Sequence, residues 1–293
     1  MKKTKVLLAG GTGYLGGHIL KVLSEQQVDT IAIVRKGKKA SLKKLPSIHT
    51  LEAEVTKANT LQGIFDGVDI VISTIGITRQ KDGLTYWDVD YQANKNLLDQ
   101  AISEGVKKFI YVASLNGEKM LDLKICEAKE QFVTDLKTSG IDYCIVRPNG
   151  FFSDLGDFLE MASKGTVYLF GKGNYRINPI DGEDLAIEIV NILRTNKTEF
   201  TIGGPCLYSH NELVSVASDI LGKKVKVTYL PNWIKKIILI VIRTFSSSKI
   251  YGPVEFFLTT LSMDMIAPKY GNKALSKFLR TINKSMHLVF NKC

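Results

Sequence analysis

Short apolar runs alternate with amphipathic stretches through the first half of the chain. Residues 5–9, 30–34, 68–76, 108–114 and 142–148 are nearly continuous in apolar side chains. Such runs describe strands covered on both faces. Residues 50–55 read as a further strand. Between them, 17–23, 59–65, 90–104 and 128–139 carry helical spacing, with Ala93, Leu97, Leu98, Ala101 and Ile102 along one side of their segment. Strands alternating with helices predict an α/β fold with right-handed crossovers and a doubly wound parallel sheet. The second half is patterned differently. Residues 154–163 predict a helix with Leu155, Phe158, Leu159 and Ala162 inward. Ser209 and Glu212 form a capping-box pattern that makes His210 a helix-start residue, and Gly222 stops that helix. A strand over 225–230 ends at Pro231. From Trp233 the chain turns apolar and basic. Ile234, Ile237, Ile238, Val241, Ile242 and Phe245 make one broad helical face that Leu239 and Ile240 widen, while Lys235, Lys236 and Arg243 are polar. Residues 253–268 are expected to pack with it as a lid. Residues 272–290 make a basic amphipathic helix with Leu275, Phe278, Leu279, Ile282 and Met286 on one side.

The chemistry begins where the first strand meets the first helix. Gly10, Gly13 and Gly16 follow the strand at three-residue intervals. A turn of this kind lets backbone N–H groups approach a diphosphate at the positive end of a helix dipole. The context, strand before and helix after, separates it from an isolated glycine triplet. The end of the second strand lies beside the adenosine ribose in such folds. Here it carries Arg35 and Lys36, then Lys38 and Lys39, where an acid would select NAD. Cations at this point favour a 2′-phosphate, so the expected cofactor is NADP(H). The small-residue turn Thr74-Ile75-Gly76 lets a cofactor lie across the sheet's carboxyl edge.

Composition adds bounds. The 293 residues suffice for one large α/β domain or two coupled ones, and 45% apolar with 23% charged residues describes a globular protein. The net charge of +10 favours anionic ligands or surfaces without choosing among them. Cys126, Cys144, Cys206 and Cys293 lack metal or redox spacing and fit a reducing compartment. No metal site is expected, and no aromatic-interleaved basic motif points to nucleic acid. The first strand starts within five residues of the first methionine, so no leader and a cytoplasmic location are expected.

The segments GGTGYLGG, GVDIVISTIG, GVKKFIYVAS and SGIDYCIVRPNGFF, with 177–186 and 200–205 after them, resemble the atypical short-chain dehydrogenase/reductases over about residues 4–230. Within that superfamily the chain resembles the NmrA-like and divinyl-chlorophyllide-reductase-like branches. The resemblance implies a Rossmann-type NADP-binding domain over 1–150, with returning elements at 171–205. It also implies a smaller, mostly helical substrate-binding and lid region over 151–293. The cofactor contacts it implies are Gly10, Thr12, Gly13, Tyr14, Leu15 and Gly16, then Arg35, Lys36 and Val55. Thr74, Ile75, Gly76 and Lys129 follow, with Pro148, Gly150 and Phe151 on the nicotinamide side, where Phe151 or Phe152 would cover the ring.

One departure bears on catalysis. The superfamily's Tyr-x-x-x-Lys pair is broken: Lys129 matches the lysine, but Ile125 stands where the proton-transferring tyrosine would be. Ser114 matches the serine that polarises a carbonyl, or it caps a loop. A desolvated Lys129 with a lowered pKa would serve as general acid or base, as the isoflavone-reductase-like relatives suggest. Tyr86 and Tyr91 are alternative proton donors, whereas Tyr111 and Tyr143 read as core. Two functions fit. One is an NADPH-dependent reductase of a small, largely apolar molecule. The other is a non-catalytic NADP(H)-binding regulator or assembly factor of NmrA-like type. The 233–245 helix suits a membrane interface, a pocket roof or packed core, and the 272–290 helix suits its own domain, a partner or an anionic membrane.

Overall fold

The computed structural model describes residues 4–37, 45–78 and 83–290, with side chains to 284. Its strands are β1 (Lys5–Ala9), β2 (Asp29–Val34), β3 (Ile48–Glu52), β4 (Ile70–Ser73), β5 (Lys108–Val112), β6 (Asp142–Pro148), β7 (Thr166–Phe170), β8 (Arg176–Ile177), β9 (Glu199–Ile202), β10 (Tyr208–Ser209) and β11 (Lys226–Leu230). Its helices are α1 (Tyr14–Glu25), α2 (Ala93–Ser103), α3 (Lys124–Thr138), α4 (Leu155–Ser163), α5 (Gly182–Asn191), α6 (His210–Leu221), α7 (Asn232–Phe245), α8 (Ser248–Thr260) and α9 (Leu275–Phe290).

Seven strands form one sheet in the order β3-β2-β1-β4-β5-β6-β9. β1 pairs in parallel with both β2 and β4, and the parallel ladder continues through β5 and β6. This is the doubly wound α/β architecture of the Rossmann type. Strand order reverses between β1 and β4, which opens a crevice at their carboxyl ends. On one face, Leu7, Val71, Phe109, Tyr111 and Ile145 pack with Leu97, Leu98, Phe132 and Leu136 from α2 and α3. A buried Arg147 ties β6 to α3, donating from Nη1 and Nη2 to Glu130 at 2.6 and 2.8 Å, and from Nε to Glu199 at 2.6 Å.

The chain divides into two compact units, Met1–Arg147 with Leu185–Phe200, and Pro148–Asp184 with Thr201–Cys293. The path therefore leaves the first unit, returns to supply the end of the sheet, and leaves again. In the second unit β7 pairs in parallel with β11, and β8 pairs antiparallel with β10. Phe158 and Leu159 of α4, Leu213 and Val214 of α6, and Leu275 and Leu279 of α9 share one apolar core there.

Several expectations shift. Residues 59–65 form a 3-10 turn over Ala58–Leu61 rather than a helix, because Gly63 takes a positive φ of 74°. Ile102 faces solvent, not the core. Strand 166–170, missing from the sequence reading, is recruited by β11. Helix α3 starts at Lys124, four residues before the expected 128. The capping box forms as expected: Ser209 N–H donates to Glu212 Oε2 at 2.6 Å, and Glu212 N–H donates to Ser209 Oγ at 3.2 Å. Among the described residues, no helix is long and apolar enough to cross a membrane.

Candidate functional site

The first turn is closed tightly by backbone. Gly10 has a φ of +92°, and a Cβ there would lie 2.3 Å from Thr74 Oγ1. A Cβ on Gly16 would lie 2.1 Å from the Gly10 carbonyl oxygen. Gly13 caps α1 without any side-chain bond, and the first turn of α1 contains no acid. The first helical amides have no intrahelical carbonyl to bond, and Gly17 N–H is the donor that reaches Gly13 O, at 3.0 Å. Amides of Leu15 and Gly16 and the positive helix end therefore face a cradle lined by glycine. Thr12 and Gly13 are exposed at its mouth, and Tyr14 is half-buried. These features fit a diphosphate group.

Thr74, Ile75 and Gly76 continue β4 beside this turn. Thr74 N–H and Oγ1 both donate to Ala9 O, at 3.0 and 3.2 Å. Ser73 Oγ donates to Asn94 Oδ1 at 2.5 Å, and Asn94 Nδ2 donates to Asp90 O at 2.9 Å. The end of β4 is thus pinned to the π-helical turn Trp87–Gln92 that precedes α2. Val55 is buried past β3, and its carbonyl accepts from Asn96 Nδ2 at 2.9 Å. Arg35 and Lys36 are exposed directly after β2. Lys38 and Lys39 lie outside the described residues.

Lys129 lies behind Gly76. Its Nζ is 2.8 Å from Asp90 Oδ1 and 5.7 Å from the Tyr111 ring centre, and both charged groups are buried. A Cβ on Gly76 would sit 2.6 Å from Lys129 Nζ and 2.7 Å from Asp90 Oδ1. Ile77 N–H donates to the other Asp90 oxygen at 3.2 Å. Burial opposes the Lys129 charge, but the Asp90 carboxylate outweighs it and holds the ammonium above the ordinary lysine range. Burial lifts Asp90 itself above the usual carboxylate range, against the pull of Lys129. The expectation of a lowered lysine pKa is therefore corrected: Asp90 supplies the opposite charge that the sequence reading did not place there. The signal was present, since Asp90 shares a helical face with Asn94, Leu97 and Ala101, where an acid is out of pattern.

The two candidate tyrosines are committed elsewhere, whereas the buried Tyr111 hydroxyl beside Lys129 makes no hydrogen bond among the described residues. Tyr86 is buried and donates to Thr78 O at 2.8 Å. Tyr91 donates to Asp135 Oδ2 at 2.9 Å, and that bond raises its pKa. Burial pushes Tyr111 up to about 12. Ser114 lies two residues past β5, half-buried, and its carbonyl accepts from Arg147 Nη1 at 3.2 Å. Ile125 is buried in α3.

In the second unit, Pro148 ends β6 and Asn149 shapes the following turn. Asn149 Oδ1 accepts from Gly150 N–H at 2.8 Å, while its Nδ2 donates to Asn178 Oδ1 at 2.8 Å and to Met265 O at 2.7 Å. Phe151 is half-buried, its N–H donating to Asp154 Oδ2 at 2.8 Å. Phe152 is core, 5.6 Å from the Phe278 ring centre. Asn178 is a buried hub for this turn that the sequence reading did not single out.

The chain is similar to several known proteins. Over 94% of this chain and 73% of its own length, divinyl chlorophyllide a 8-vinyl-reductase of Arabidopsis thaliana, a chloroplastic protein, is 28% identical. The photosystem II assembly factor Ycf39 of Cyanidium caldarium is 24% identical over 96% of this chain and 91% of its own. The fold matches triphenylmethane reductase of Citrobacter sp., solved with NADP(H), at a TM-score of 0.71 and 17% identity, covering 95% of this chain and 99% of that one. A family model described as NAD(P)H-binding matches residues 10–194. With the glycine cradle and the sheet that carries it, this match establishes that the chain belongs to the NAD(P)H-binding family.

Proposed function

We propose that this protein is an NADPH-dependent reductase acting on a small, largely apolar molecule. The observation that carries the proposal is the buried Lys129–Asp90 pair directly behind the Gly76 turn. Arg35 and Lys36 at the end of β2 support preference for the 2′-phosphate, because a guanidinium meets a phosphate with two parallel hydrogen bonds. NADPH, when bound, supplies a hydride. The residues supply fixed charge and position. The first turn holds the diphosphate on its amides. Lys129 keeps its proton and offers an ammonium to negative charge developing on the substrate. Ser114 is a further donor for a substrate oxygen. Ile125 in the tyrosine position moves no proton, and under this proposal the proton that completes reduction comes from solvent.

The test follows NADPH consumption over a panel of conjugated enones and vinyl-substituted ring compounds. Lys129→Ala should lower kcat by about a hundredfold or more while nucleotide affinity holds within a fewfold, as loss of one electrostatic donor does. Lys129 stays charged beyond its ordinary range, so the wild-type rate should show no alkaline limb from this residue between about pH 7 and about pH 10. Unchanged turnover in Lys129→Ala removes it from the mechanism. A second reading, a non-catalytic NADP(H)-binding assembly factor, is favoured by buried Ile125 in the tyrosine position. It is supported if nucleotide binds and the whole panel leaves NADPH unconsumed.

A further inference from the structure

Helix α7 is apolar on more than one side, yet none of its residues is buried. Ile234, Ile238, Leu239 and Ile242 are half-buried. Trp233, Ile237, Ile240, Val241 and Phe245 form a second stripe in solvent, with Ile240 at 66% and Phe245 at 83% exposure. Ile250, Val254 and Phe257 extend exposed apolar surface onto α8, at helical spacing. A helix apolar all round is ordinarily enclosed, and an exposed patch of this kind marks an interaction surface.

Charge decides what covers it. Lys236 and Arg243 border the α7 stripe, and Lys249 lies at the start of α8. Between Asn232 and Thr260 the sole carboxylate is Glu255, which is buried and accepts from Arg243 Nε at 2.8 Å. The patch is therefore cationic at its rim with no exposed acid along it. A second copy meeting it face to face would set cations against cations. An anionic lipid surface matches both parts, apolar to acyl chains and basic to phosphate. The other basic helix does not compete for this role, because Leu275 and Leu279 of α9 are buried in the core of its own unit. At 14 residues, α7 is shorter than the roughly 20 needed to cross a bilayer, so it would lie in the interface plane.

We propose that α7 and α8 seat this protein on an anionic lipid surface, with Trp233, Ile237, Ile240 and Phe245 entering the headgroup–acyl boundary and Lys236 and Lys249 meeting lipid phosphates. This stands apart from the reductase reading, since it uses none of the cofactor or Lys129 residues.

The experiment is co-sedimentation of the full chain with phosphatidylcholine vesicles containing about 30 mol % phosphatidylglycerol, against phosphatidylcholine alone, over a salt series. The full chain should partition into the anionic vesicles, and added salt should weaken binding. Ile240→Glu with Phe245→Glu should lower partition by about tenfold or more, and Lys236→Glu with Lys249→Glu by a similar factor. Circular dichroism and an unchanged thermal midpoint serve as the folding control, and these side chains are exposed enough to be replaced without opening a core. Equal binding by the Ile240→Glu/Phe245→Glu variant, or no preference for anionic over neutral vesicles, overturns the proposal. So does a concentration-dependent dimer that this variant abolishes, with no vesicle binding, because it assigns the face to a second copy.

Discussion

Two glycines at the candidate site differ in what surrounds them. A Cβ on Gly16 would lie 2.1 Å from the Gly10 carbonyl oxygen, a backbone atom at the start of the cradle. Gly16→Ala is therefore expected to cost about 1–3 kcal/mol in urea unfolding and to abolish nucleotide binding by calorimetry. A Cβ on Gly76 instead meets the flexible tip of Lys129, at 2.6 Å. The same Cβ would lie 2.7 Å from the buried Asp90 Oδ1, so Gly76→Ala should lower both stability and turnover, because the ammonium cannot move aside without leaving that carboxylate unpaired. An unchanged urea midpoint in that variant would show that the buried pair adjusts without cost. Lys129 and the glycines were legible because their chemistry imposes spacing on the sequence. Asp90 stands out as an acid on an inward helical face, but its partner lies 39 residues further on, so the sequence marks the residue without naming the pair. Only the tertiary fold brings them together.

At the level of single elements, propensity and capping were reliable where they acted alone. Helix α6 begins at the capping box and ends at Gly222, whose φ of 63° suits only a residue free to be left-handed. Strand β7 was illegible because it pairs with β11, some 60 residues away, rather than following a local turn signal. The 59–65 helix failed because Gly63 interrupts it. Helix α6 also carries a titration. His210 is buried, and burial lowers its pKa from 6.5 to about 4 against a weaker upward pull from Asp264. Below pH 6.5 the unfolded chain takes up a proton that the folded chain refuses, so stability is full above that pH and falls as pH drops toward about 4. That gap, from 6.5 to about 4, corresponds to about 3 kcal/mol. Urea midpoints between about pH 7 and about pH 4.5 should fall less steeply in His210→Gln than in the wild type.

Across the whole molecule, cofactor binding should be readable as stability. A ligand at a hundred times its dissociation constant adds about 2.7 kcal/mol to the state that binds it. NADPH should therefore raise the thermal midpoint more than NADH at equal concentration. Arg35→Ala should erase most of that difference by lowering NADPH affinity about tenfold while NADH changes little. Equal shifts by both nucleotides in the wild type would assign no discrimination to the end of β2. The order in which the chain visits its two units has a further consequence. The sheet is finished by β9, which arrives only after the excursion through 148–184. A polypeptide halted at Arg147 would leave β6 as a bare margin, its outer amides and carbonyls open to pairing with other chains. During synthesis the nascent protein passes through that aggregation-prone stage. A fragment ending at Arg147 would keep that edge open permanently, and expressed alone it is expected to aggregate.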